Sequence, residues 1–308
     1  MIDKTLLRPS SGRAVTAHAE IGRPVVPHVL FFWACIVSLI VFWPYLEALV
    51  RLALQDDRYT ITLVIPFISL ALVWLRRGIL FFDARYCLWA GVPFVLTGLT
   101  VLALSGFPFH LLPEYILSVR IFALLLVLAG AFICCYGTRA AQRCIFPLVL
   151  IFLTIPIPAP VLDHLVVALQ RGSAEMTYRL FKIVGVPAYR EWMFKFSLPG
   201  VTIEVAEECS GIRSSLSTFI GSLVAGYLIL RSSWSRASFA LLTIPIVIFK
   251  NAVRIVTISW LGVYVDSGFL HGRLHRYSGL PFSLLAVGLL APLLFLLMRT
   301  ERRDNTDP

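Results

Sequence analysis

Long apolar runs, broken by short polar punctuation, set the pattern of this chain. A helix that crosses a bilayer needs about 20 mostly apolar residues. Eight runs fit that length loosely: Val29–Leu49, Thr60–Leu75, Leu88–Leu104, Ser118–Tyr136, Cys144–Ile157, Ser210–Leu230, Ala237–Val263 and Pro281–Met298. The runs are continuous rather than alternating, so they predict helices and not barrel strands. The second and fifth are short and contain Pro66, Pro147 and Pro156, which predict tilt or kinks.

The stretch 158–209 breaks the pattern. Leu162, Leu165, Val166 and Leu169 recur at helical spacing, interrupted further on by Arg171, Glu175, Arg179 and Lys182. This predicts an interfacial or re-entrant amphipathic helix. Trp192, Phe194 and Phe196 then alternate with polar residues, Pro199-Gly200 marks a turn, and Val201, Ile203 and Val205 alternate again. That predicts a small β-hairpin delivering the chain to Cys209.

Composition supports the membrane reading: 58% of the 308 residues are hydrophobic and 14% charged, with mean hydropathy +0.85. The net charge of +10 would suggest nucleic acid in a soluble protein. Here it reads as topology, because Lys and Arg concentrate in cytoplasmic loops. With the N-terminus inside, the inner segments hold fourteen Lys and Arg, and the short outer loops hold four. Both termini are therefore expected in the cytoplasm. The expected organisation is a cytoplasmic segment 1–28, a polytopic domain 29–298 and a cytoplasmic tail 299–308, with no cleavable signal peptide and no fused soluble domain. The six cysteines form no CxxC pair, and no spacing suggests a disulfide framework, a metal site or a cofactor.

The polar chemistry gathers at the outer side. Cys209 stands just before the sixth run, where helical N–H groups are unpaired and the macrodipole is positive. That setting favours a thiolate, the nucleophilic form. Ser210 and Gly211 are small enough for close approach by a substrate, and Ser210 could cap the helix. In the seventh run, Lys250, Asn251 and Arg254 share a helix face inside apolar sequence. Intramembrane ionisable groups are costly and default to functional candidates. Counted from its helix end, Arg254 is about 13 Å deep. The last outer loop supplies His271 and His275 as candidate bases.

AEECSGIRS, then NAVRI, then H-RYSG-LPF resembles the exosortase/archaeosortase family of multi-pass membrane cysteine transpeptidases. DDRYTITLVIPFISLALVW resembles the family's early motif, a D-x-x-Y before a Pro-containing helix. The resemblance spans Asp56 to Leu294 and implies Cys209, Arg254 and His275 as the catalytic set, with family spacing favouring His275 over His271. It also implies an inner-membrane enzyme, its site facing the periplasm. The partners implied are exported proteins bearing a transmembrane segment and a C-terminal sorting signal of the PEP-CTERM kind. An exopolysaccharide biosynthesis machinery is a further implied partner; nucleic acid is not expected.

Blander readings stand beside these. Cys35, Cys134, Cys135 and Cys144 read as buried structural thiols. Lys250 reads as structural, a charge partner for a carboxylate, and Arg213 as a snorkelling residue. Ser217, Gly221, Ser222 and Gly226 read as helix-packing positions. Glu207 and Glu208 approach the EExxxR pattern of membrane CAAX-type proteases, but Arg213 falls one residue too far along. The glutamates therefore read as local structure or recognition of a substrate lysine. A non-enzymatic alternative is a transporter or an exopolysaccharide assembly factor, its Lys250–Asn251–Arg254 face lining a polar path.

Overall fold

The computed structural model describes residues 25–80, 86–106, 113–205, 211–266, 268–271 and 279–304. Each apolar run folds as helix. In chain order these are α1 Val25–Val41, α2 Trp43–Gln55, α3 Thr60–Leu75, α4 Arg77–Leu80, α5 Leu88–Leu104, α6 Pro113–Arg143, α7 Ile145–Ile151, α8 Ala159–Val184, α9 Ile212–Ile229, α10 Ser233–Tyr264, α11 Gly268–His271 and α12 Gly279–Asp304. α6 is broken at Gly137, whose φ of 83° is open to glycine at little cost.

Among the described residues, five stretches are long and apolar enough to cross a bilayer, and seven are if each of two bent pairs counts as one span. Together with the shorter apolar helix Leu88–Leu104, these account for all eight expected runs. The first run divides into α1 and α2, bent by 70° at Phe42, with Pro44 in the first turn of α2. The fifth runs through α7 and a 3₁₀ turn, then bends 98° into α8 across Pro156 and Pro158. Leu88–Leu104 is apolar but has only 17 residues.

Tight packing explains the α5–α6 pair. A Cβ on Gly98 would lie 2.8 Å from the Ala123 carbonyl, and one on Gly130 would lie 2.8 Å from the Gly91 carbonyl. Apolar tails of lipid and side chain are equivalent in a membrane, so close backbone approach supplies the attraction.

The expected hairpin is a three-stranded antiparallel sheet: β1 Tyr189–Trp192, β2 Lys195–Leu198 and β3 Val201–Glu204. The alternation at Trp192–Phe196 conceals an extra turn at Met193-Phe194, with a register shift between Arg190 and Trp192. Trp192 thus falls on the outer strand, exposed, while Phe196 is fully buried against Phe181. Gly185 ends α8 in the left-handed conformation, the Val186 N–H reaches back to the Phe181 carbonyl at 3.0 Å, and Val186 packs in the same cluster. This helix stop turns the chain into the sheet.

α9 and α10 form an antiparallel hairpin. Its turn is closed by Glu301 of α12, which accepts the backbone N–H groups of Arg231 and Ser232 at 3.0 and 2.8 Å. α9 has 18 residues, and the stretch Ser233–Lys250 of α10 matches it. α10 then continues through thirteen more residues, Ala252–Tyr264 beyond Asn251, a further rise of about 20 Å. The sheet and the second half of α8 cover this extension through Phe181, Phe196, Leu198, Val205 and Val256.

Candidate functional site

Gly211 carries φ +68° and immediately precedes α9. A Cβ added there would lie 2.8 Å from Asn251 Oδ1, so the glycine is required both by its backbone angle and by its neighbour. Asn251 is almost fully buried and donates from Nδ2 to Ser173 Oγ of α8 at 3.0 Å. One turn earlier on α8, buried Gln170 donates from Nε2 to the Val205 carbonyl at 3.1 Å. Residues 206–210 therefore leave and rejoin the described chain at two points fastened to the same helix. Cys209, Glu207, Glu208 and Ser210 lie outside the described residues, as does His275. His271 is the last residue of α11.

Lys250 is 1% exposed and donates to Ser214 Oγ at 2.6 Å. Ser214 passes its own hydrogen to the Gly211 carbonyl at 3.0 Å. Among the described residues no carboxylate forms an ion pair with Lys250, and its partner there is the Ser214 hydroxyl; the carboxylates of Glu207 and Glu208 lie outside the described residues. Arg254 stands half-buried one turn beyond Lys250. Measured against α9 rather than its own helix end, Arg254 is three residues past the level of Gly211. Arg254 thus lies just beyond the level at which α9 begins, and the rest of α10 continues along α8 and the sheet.

Beside this continuation runs an apolar groove of about 370 Å³, lined by Leu180, Val184, Val253, Val256, Thr257 and Trp260. Nearer the other end of α10, Phe239 and Ile246 pack with Leu290, Leu293 and Leu294 of α12.

A second polar knot supports the same end. Asp56 accepts the Arg58 backbone N–H at 2.9 Å and Arg58 Nε at 2.8 Å, and Arg58 Nη1 reaches Asp163 at the start of α8 at 3.0 Å. Burial alone would raise the Asp56 carboxyl, but these Arg58 hydrogen bonds outweigh it and hold the pKa below the usual carboxylate value. Tyr59 donates to the Ile157 carbonyl at 2.9 Å. Arg213 does not simply snorkel: its Nη1 meets Asp57 Oδ2 at 3.0 Å. The D-x-x-Y stretch thus joins the starts of α3, α8 and α9.

Gln170, Ser173 and Ser214 were not among the sequence-derived site residues. Gln170, Ser173 and Thr177 recur at helical spacing amid the apolar positions of α8 and are all buried. That polar stripe on the inner face was the available signal. Ser214 carried none.

A multi-pass helical bundle with a buried polar cluster between two hairpin helices defines the class, a multi-pass membrane protein. The family model described as transmembrane exosortase (Exosortase_EpsH) matches residues 53–292, and the chain belongs to that family. No curated protein and no solved structure matches it.

Proposed function

We propose that this exosortase is a membrane cysteine transpeptidase that cleaves the C-terminal sorting signal of exported proteins. The observation that carries the reading is the contact of Gly211 with Asn251. It ties the chain two residues after Cys209 to the helix face bearing Arg254, within a family of sorting transpeptidases.

In this mechanism the Cys209 sulfur attacks the scissile carbonyl, forming a C–S bond. Arg254 stabilises the oxyanion, as a fixed cation does where charge develops. His275 takes the thiol proton and passes it to the departing amine as the C–N bond breaks. The thioester is then resolved by an amine or by water, which restores the thiol. Ser210 leaves room for the substrate backbone, while Gly211 makes room for Asn251 instead; Glu207 and Glu208 recognise a substrate lysine, and His271 is the second imidazole on this side. The substrate carries its own transmembrane segment, which brings the cleavage segment to the periplasmic face of the inner membrane. No cofactor takes part in this scheme.

The transporter or assembly-factor reading has less support, because Lys250 and Asn251 are packed against Ser214, Ser173 and Gly211 rather than lining an open path. The test is mass-spectrometric trapping of a substrate acyl group on Cys209 in membranes, with C209A as control. Acylation of wild type, lost in C209A while the protein still accumulates, is expected. Full processing by C209A or C209S, or failure of a membrane-impermeant maleimide to reach Cys209 from the outer face, overturns the reading.

A further inference from the structure

We propose that Lys250 is a positioning residue for the Cys209 reaction, acting through Ser214 on the carbonyl of Gly211. The inference rests on the transpeptidase reading above.

A lysine ammonium removed from water is costly unless its hydrogens are well used. Lys250 is 1% exposed, and among the described residues it has no carboxylate partner. A residue placed only for packing would be better served by leucine or methionine. What the ammonium does hold is Ser214, at 2.6 Å. The direction of the hydrogens matters. Gly211's carbonyl can only accept, so the Ser214 hydroxyl hydrogen points to it, at 3.0 Å. Lys250 must then be the donor to Ser214. A serine–lysine nucleophile pair would need the reverse order, with the amine accepting the hydroxyl hydrogen. The arrangement is a relay of donors, ammonium to hydroxyl to carbonyl.

The relay ends on a carbonyl that also accepts the Ser215 N–H at 2.8 Å, the first helical bond of α9. It therefore fixes the peptide that follows Gly211, at the left-handed turn with φ +68° through which the chain enters the helix. Asn251 fixes the same glycine from its other side. Two consecutive residues of α10 thus hold one turn: Lys250 through its carbonyl, Asn251 by contact at its Cα. Cys209 is two residues upstream in the sequence, and the turn that leads from it into α9 is the one this relay holds; a helix start of that kind favours a thiolate.

The test uses the full chain in nanodiscs and N-ethylmaleimide as the probe. The Cys209 alkylation rate at pH 7 is read by peptide mass spectrometry for wild type, K250M, S214A and the double variant. K250M and S214A are each expected to slow alkylation at least fivefold, and the double variant to be no slower than either alone, because both remove the same relay. K250Q keeps a donor without the charge and is expected to recover at least half of the wild-type rate. Thermal unfolding in the same nanodiscs identifies any variant that has lost its fold, and K250Q with S214A carries the comparison if K250M has. Additive slowing, unchanged rates in both single variants, or no recovery in K250Q overturns the proposal. If wild-type Cys209 reacts but no acyl group is ever trapped on it, the transpeptidase reading falls instead.

Discussion

Gly211 and Asn251 meet across the α9–α10 hairpin so closely that a methyl group on the glycine would sit 2.8 Å from the amide oxygen. This contact sets where the chain re-enters the membrane helices after Cys209. Substituting alanine there combines a left-handed backbone, costing about 1 kcal/mol, with a steric conflict. G211A is expected to lower thermal stability and to reduce substrate processing at least tenfold. Gly200 has a similar φ of +77° with nothing within 4 Å of a Cβ. G200A therefore measures the backbone cost alone and should leave processing near wild type.

The Asn251–Ser173 hydrogen bond at 3.0 Å is buried on both sides. Removing one partner strands the other, a cost of about 1–3 kcal/mol. S173A and N251A should each destabilise the protein by that order, and the double variant by less than their sum. A double-mutant cycle on thermal or denaturant unfolding in detergent checks this. Strict additivity would mean that the bond does not form in the membrane.

Acid should loosen the knot at Asp56. Its folded pKa lies below the ordinary carboxylate value. The stabilisation is therefore complete above the unfolded pKa of about 4 and is lost as pH falls through the lower, folded value. Wild-type unfolding temperature should drop on acidification below about pH 4, and D56N should show a smaller share of that drop. Equal acid sensitivity in the two proteins would remove Asp56 from the account.

Gly91 packs so tightly into α6 that a Cβ would lie 2.6 Å from the Gly130 carbonyl oxygen. G91V and G130V should separate α5 from α6 and reduce the amount of protein that accumulates in the membrane. Cys209 alkylation per folded molecule should be unchanged, since this pair lies away from the α9–α10 cluster. Normal accumulation of both variants would show that the helices can part without loss.

What the sequence disclosed follows from the range of the forces involved. Apolar runs report their helices directly, because each needs only its own residues to satisfy its backbone. Lys250, Asn251 and Arg254 stood out because charge in an apolar run is expensive. One bend was harder: Pro44 lies in the first turn of a helix, where proline is well tolerated, so it did not read as a break, whereas the bend at Pro156–Pro158 did. The third strand was hidden because Trp192 continues the alternation of Phe194 and Phe196 while a turn at Met193-Phe194 intervenes. Gln170, Ser173 and Ser214 matter through partners that are 35 to 78 residues distant, and no local pattern carries that information.

The hairpin also works as a gauge. From the shared turn at Leu230–Ser232, one arm counts 18 residues up to Gly211 and the other 18 up to Asn251, and the two chains arrive abreast. Inserting or deleting one residue in either arm would turn its upper end by about 100° and move it about 1.5 Å, parting glycine from asparagine without spoiling either span. Side chains facing lipid along these arms are free to vary; the number of residues in each arm is not.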